Sequence, residues 1–218
     1  MLKNRLFGLA LATIAASTPA LAQRCLGLGT TGKNYLGAEQ RQSWTGHGTL
    51  ASVVGLQYTH RIEAGSNTSV LVNLSGATGH VHGDTTAAHV AASLAVSRQV
   101  TAISPNLSVC ASGGIEARAV DYPGEGDGFA SFPITTGVGY DVRLGAVTLT
   151  PFVAPTIAYY EFESKTVQNR ARQRGWDGFV TTGITAAVGR YSFGANWRRG
   201  DVSLGDTGRF AFTTGVSF

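Results

Sequence analysis

The chain has 218 residues, enough for one domain of ordinary size, with 17 Lys+Arg against 13 Asp+Glu and a net charge of +4. Only 14% of its residues are charged, where about a quarter is usual for a soluble globular protein. So sparse a charge argues against an ordinary soluble enzyme, and so small a positive balance against a nucleic-acid partner.

The first residues form a leader. Lys3 and Arg5 make a short positive head, Leu6 to Ala16 is an apolar run too short to span a bilayer as a helix, and Ala20-Leu21-Ala22 is an A-x-A site before Gln23. These parts in this order predict a secretory signal peptide over residues 1–22, removed in the mature protein. Without Lys3 and Arg5 the balance is fifteen basic against thirteen acidic residues, a net of +2. No later stretch has the apolar length of a transmembrane helix.

Cys25 and Cys110 are the two cysteines. An even count in an exported chain points to a disulfide; the alternative is two thiols packed as small apolar groups. Residues 23–46 read as a periplasmic segment or a first strand, since the alternation from Leu26 to Trp44 is poor.

From residue 47 onward, period two recurs in runs separated by turn residues. Leu50, Val54, Leu56, Tyr58 and Ile62 alternate with Ala51, Gly55, Gln57, Thr59 and Arg61. Val70, Val72 and Leu74 follow the turn at 63–67, and Val90, Ala92, Leu94 and Val96 come after Gly83-Asp84. Past Ser104-Pro105-Asn106, Leu107, Val109, Ala111, Ile115 and Ala117 lie opposite Cys110, Glu116 and Arg118. Residues 121–128 read as a loop. Ile134, Val138, Tyr140 and Val142 oppose Gly137, Gly139 and Asp141, and Val147, Leu149, Val153, Ile157 and Tyr159 form the next run. Residues 163–177 read as a long polar loop. Val180, Ile184 and Val188, then Tyr191, Phe193 and Trp197 opposite Arg198, then Phe210, Phe212, Val216 and Phe218 opposite Arg209 complete the chain.

One face of each run is apolar and the other is small or polar with few charges. A soluble sandwich would present a well-charged outer face. The inverse arrangement, apolar side to lipid and small polar side to a lumen, fits this pattern better, and only a closed barrel leaves no unpaired strand edge in lipid. Nine strands are visible and parity asks for a tenth before residue 47; eight is the alternative.

The last strand, with Phe210, Phe212, Val216 and a terminal Phe218, resembles the C-terminal strand of bacterial outer-membrane β-barrel proteins. It departs from their usual pattern in having Thr213 where a glycine is common. Together with the leader and the alternating strands, residues 47–218 resemble the small OmpA/OmpX-like barrels. That resemblance implies an all-β closed antiparallel transmembrane barrel in the cell outer membrane, with both termini periplasmic. It also implies export by the Sec translocon, and assembly by the barrel-assembly machinery reading that terminal strand. Short turns then fall mostly inside and longer connections outside.

Several side chains are candidates for function. Arg61, Glu116, Arg118, Asp141, Arg198 and Arg209 fall on lumen faces, as a polar pore or as a charge network filling a narrow interior. His80, His82 and His89 around one outer loop are weak candidates for a metal, against a plain polar rim, and no cofactor is expected. Lys165, Arg170, Arg172 and Arg174 on the longest outer loop suit lipopolysaccharide phosphates, against a solvated loop. The expected role is that of a monomeric structural, surface-interaction or envelope-integrity barrel in contact with outer-membrane lipids and lipopolysaccharide. The alternatives are a narrow porin-like channel for small solutes and an outer-membrane enzyme acting on lipid A or peptide.

Overall fold

The computed structural model describes residues 24–27, 32–45, 50–62, 68–81, 85–102, 104, 106–122, 125–165, 170–200 and 206–218. The leader reading therefore lies outside the described residues. Among the described residues, a 3-10 turn, Arg24–Leu26, is followed by ten strands: β1 (Asn34–Thr45), β2 (Leu50–Arg61), β3 (Thr68–Val81), β4 (Thr85–Ala102), β5 (Leu107–Tyr122), β6 (Glu125–Tyr140, resuming past Asp141 as Val142–Leu144), β7 (Val147–Lys165), β8 (Arg170–Val188), β9 (Tyr191–Arg199) and β10 (Asp206–Ser217).

Each strand pairs antiparallel with its neighbours in the chain. β10 returns to β1, with Leu36 opposite Val216 and Gly37 opposite Gly215, so the sheet closes on itself. Phe218 completes the seam: its N–H donates to the Asn34 carbonyl at 3.0 Å, and its carbonyl accepts from Asn34 N–H at 2.9 Å. The ten-stranded reading holds, and β1 supplies the tenth strand within residues 23–46.

Burial is inverted relative to a soluble domain. Leu56, Ile134, Ile157, Phe193 and Phe212 are exposed on the outer face, Leu56 at 61%. Their neighbours in sequence point inward and are small or polar. Gln57, Thr59, Ser75, Ser97, Ser131, Thr156, Thr185 and Ser192 are all buried. Alternation along each strand thus sorts residues onto two faces. The paired backbone leaves the ladder without an edge.

The start of β1 and the end of β10 lie at one end of the barrel, since Tyr35 pairs with Ser217. The two-residue turns Gly145-Ala146 and Gly189-Arg190 lie at that end too. Gly145 and Gly189 adopt φ of 62° and 56°, the positive values that tight hairpin turns demand.

At the opposite end the sequence reading needs correction. Residues 163–177 are not a long loop: β7 runs to Lys165 and β8 begins at Arg170, with Glu161 opposite Arg174 and Glu163 opposite Arg172. The 121–128 loop is likewise mostly strand, β5 ending at Tyr122 and β6 starting at Glu125. The apolar face is needed only where a strand meets lipid. Strands of about 10 residues already cross a bilayer, so the far halves of the 19-residue β7 and β8 carry polar residues on both faces and lose the period-two signal. β9, by contrast, has 9 residues, so the wall is much taller on one side.

Candidate functional site

The lumen is divided into two levels. At the end where β1 starts and β10 finishes, the segment Cys25–Gly27 lies inside the barrel against β5, β6 and β7. Cys25 and Cys110 form a disulfide, their Cα atoms 6.0 Å apart, and both are fully buried. Space for the segment comes from β6. A Cβ at Gly137 would fall 2.1 Å from the Cys25 carbonyl oxygen, and one at Gly139 would fall 2.9 Å from Cys25 Cα. The Thr185 hydroxyl donates to the Gly27 carbonyl at 3.3 Å, and the Phe152 ring packs against Gly27. Beside it, the buried Tyr35 ring fills the gap over Gly37 and Gly215 and its hydroxyl meets that of Ser192 at 3.4 Å. Nothing in the local sequence around Cys25 announces this seat, because it is made by the missing side chains of a strand more than a hundred residues away.

Two of the six lumen charges singled out in the sequence belong to this level. Asp141 is buried, accepts from the Thr150 hydroxyl at 2.6 Å, and its N–H donates to the Asn106 carbonyl at 2.8 Å. Arg61 lies beside Asn34, Tyr35 and Ser69 at the barrel end, its N–H donating to the Lys33 carbonyl at 2.9 Å.

The other four gather higher in the lumen. Arg118 Nη2 contacts Glu116 Oε1 at 3.1 Å, and its guanidinium stands 5.1 Å from the centre of the Phe129 ring. Arg198 lies 3.9 Å over Phe179, a cation–π distance, and Arg209 is buried. Two partners come from β1: Arg41 pairs with Glu39 and its Nη2 donates to the Ser75 hydroxyl at 3.3 Å. Phe129 and Tyr160 stack with centroids 6.3 Å apart. Below this cluster is a cavity of about 270 Å³, lined by Glu39, Arg41, Glu116, Arg198 and Arg209, with Leu26 and Gly27 of the N-terminal segment also in its wall. A narrower space of about 30 Å³ shares Glu116, Phe179 and Arg198 with it and is lined as well by Arg118, Phe129, Tyr160 and Asp177.

Sequence reasoning missed Glu39, Arg41 and the lumen aromatics. Tyr35, Gly37, Glu39 and Arg41 do alternate with Leu36, Ala38, Gln40 and Gln42. Gln40 and Gln42 on the outward face hid the pattern.

On the outer surface of the tall wall, Arg172 pairs with Glu161. Arg172 and Arg174 are exposed above Trp176, which is 66% exposed and meets the Tyr159 ring edge-on at 5.5 Å. The side chains of Lys165 and Arg170 lie outside the described residues, as do His82 and the side chains of His80 and His89. On β10, Phe212 and Phe218 project outward, exposed, and the Phe210 and Phe212 rings meet at 4.7 Å.

No family model matches the chain, and no curated protein matches it. Solved structures similar to it include the β domain of the Bordetella autotransporter BrkA, with 9% identity over 85% of this chain and 99% of that one and a TM-score of 0.49. The translocator domain of the autotransporter NalP from Neisseria meningitidis is 12% identical over 97% of each chain, with a TM-score of 0.48. Ail, the attachment invasion locus protein of Yersinia pestis, is 10% identical over 85% of this chain and 96% of that one, with a TM-score of 0.38. At such levels the likeness carries nothing about activity.

Proposed function

We propose that this protein is exported on a cleaved leader, residues 1–22, and resides in the outer membrane as a monomeric barrel with a plugged lumen, in a structural or surface-interaction role in the envelope. One observation carries the reading: the closed barrel exposes many of its large apolar side chains and buries many serines and threonines together with Gln57, Asp141 and Arg209, the arrangement lipid outside and polar lumen inside would select. Short turns gathered at the end where β1 starts and β10 finishes support a periplasmic position for that end. Arg172 and Arg174, above the Tyr159–Trp176 pair, stand where an aromatic belt gives way to headgroups, a fit to lipopolysaccharide phosphate. β10, with Phe210, Phe212, Val216 and Phe218 at the seam, is the strand the barrel-assembly machinery reads.

The N-terminal segment in the lumen favours a closed barrel over a porin-like passage. The test has two parts. Purified protein should need detergent to stay in solution and should migrate differently in SDS gels before and after heating. Reconstituted in planar bilayers, it should show no steady open conductance. A monodisperse protein without detergent would refute the membrane reading, and a stable ohmic pore would refute the plug.

A further inference from the structure

β8 has 19 residues and its neighbour β9 only 9. β9 pairs with β8 from Tyr191 opposite Val188 up to Arg199 opposite Val180. Residues 170–179 of β8 are paired with β7 on one side, and among the described residues no strand lies on the other. At a rise of about 3.3 Å per residue this open edge is roughly 30 Å long. The backbone groups facing it can be named. The Gly178 carbonyl oxygen points at Gly200, where an added Cβ would fall 2.9 Å from it, and the Gly178 N–H donates to Asp177 Oδ1 at 2.8 Å. In an antiparallel ladder every second residue turns both its backbone groups to the same side. The N–H and C=O groups of Arg170, Arg172, Arg174 and Trp176 therefore face the open side as well.

The link between β9 and β10 is too short to cover this edge. Residues 201–205 must return to Asp206, so they can climb by about three residues at most, roughly 10 Å. Counted from Gly200, which lies beside Phe179, that distance ends level with Trp176 and short of Arg174, Arg172 and Arg170. Sheets protect open edges with prolines, bulges, covering segments or charges. Residues 170–179 hold no proline, and the ladder to β7 runs from end to end without a register shift. Only the charges are present, as three arginines.

We infer that the edge of β8 from Arg170 to Trp176 docks an extended acidic segment of another protein, which adds to the wall as an antiparallel strand. In strand addition of this kind main-chain hydrogen bonds give affinity and alternate side chains give specificity. Arg170, Arg172 and Arg174 share one face of the strand, and Arg172 and Arg174 are exposed there. Across the ladder to β7 the last two meet Glu163 and Glu161, so acidic residues already match this row on its paired side. Opposite charges across a strand pair stabilise it and like charges destabilise it. A second copy of the same edge is therefore disfavoured, because every antiparallel register that lays the three arginines over their copies sets Arg against Arg. A strand with acidic residues at alternate positions has the complementary pattern. The edge can serve in this way only if it stands outside the bilayer, as the surface-interaction reading above requires.

The probe is a fluorescein-labelled peptide of about ten residues in which Glu and Thr alternate, titrated by anisotropy into the full chain refolded in zwitterionic detergent. Heat-dependent gel migration first confirms that each variant is a folded barrel. A folded barrel that does not bind then counts against the edge and not against the membrane reading. Saturable binding is expected, about tenfold or more tighter than for the matching Lys-Thr peptide. In an antiparallel pair a residue whose backbone groups face the partner lies opposite one whose groups face back. A peptide with Glu opposite the arginines thus uses its Glu nitrogens. N-methylation of those nitrogens should abolish binding, and N-methylation of the Thr nitrogens should leave it unchanged. Arg174→Gln, which removes charge alone, should weaken binding about two- to fivefold. Arg174→Pro also removes an N–H on the open side while sparing the ladder to β7, and should weaken it about tenfold or more. Absence of saturable binding would overturn the inference, as would equal binding of the Glu-methylated and unmodified peptides. A dimer in sedimentation velocity that Arg174→Pro disperses would assign the edge to a second copy and overturn the acidic partner. If Arg174→Pro does not fold, the methylated peptides decide, since they are applied to the unaltered protein.

Discussion

Gly137 offers the sharpest probe of the plug. A methyl group at this position would be directed at the Cys25 carbonyl oxygen, 2.1 Å away, and would also meet Leu26 Cδ2 at 2.8 Å. The nearer atom belongs to backbone, so no rotamer change relieves the contact. Two responses are open to Gly137→Ala. The segment can shift within the lumen while the disulfide survives, at the 1–3 kcal/mol, roughly, that overpacking costs. Otherwise the segment leaves, and with it the bond closing a loop of 85 residues, which the chain-entropy treatment values at about 4.5 kcal/mol. The first response costs less, so Gly137→Ala should keep its bridge and lose about 1–3 kcal/mol of stability. Gly113→Ala is the control, because it lies on the same sheet with nothing within 4 Å of the added methyl. Urea unfolding of both variants, followed by gel migration without heating, measures the difference. Denaturing thiol labelling without reductant reports the bridge. Equal stability of the two variants would refute the account of how the segment is seated.

Cys110→Ser should lower stability by up to about 4.5 kcal/mol and expose the segment before Tyr35 to added protease, with the barrel still assembled because the ladder does not depend on the bond; limited proteolysis with mass analysis reads this out. Leu56→Arg on the outer face should cost about 2–4 kcal/mol if that residue lies near the bilayer midplane, whereas a lumen change such as Gln57→Ala should cost much less, as measured by unfolding in lipid vesicles. Thr150→Val removes the donor to the buried Asp141 carboxylate and should destabilise by about 1–3 kcal/mol, measured by the same unfolding.

How much of this was legible in the chain follows from what each feature depends on. The wall was legible because lipid on one side and lumen on the other impose period two. Tyr191 to Trp197 shows it without interruption, and Leu50 to Ile62 breaks it only at Ser52, Val53 and His60. β1 was nearly invisible, since Gln40 and Gln42 occupy outward positions where the other strands carry aliphatic or aromatic residues. The strand tops were misread as loops for the reason that makes them informative: above the lipid, Glu161, Glu163, Arg172 and Arg174 replace apolar packing with opposite charges across the ladder, and opposite-charge cross-strand pairs stabilise a sheet without a hydrophobic stripe.

The lumen was legible only as parity. Alternation put Glu116, Arg118, Arg198 and Arg209 inside, but parity says nothing of height, and Arg61 and Asp141 proved to sit at the other level. Convergence across the barrel depends on closure, because Glu39 and Arg41 meet the β5 and β9 charges only once β1 has paired with β10. The same logic governs where the molecule tolerates change. In a soluble domain the large apolar residues fix the structure, since they fill the interior. Here the interior is filled by Tyr35 against Gly37 and Gly215, by the Cys25 turn against Gly137 and Gly139, and by hydroxyls such as Thr150 and Ser192. Adding one methyl group to a lumen glycine therefore disturbs packing that removing several carbons from an outward leucine leaves intact, because lipid chains fill the space the leucine vacates, whereas a methyl group in the seat of the plug must displace the Cys25 backbone.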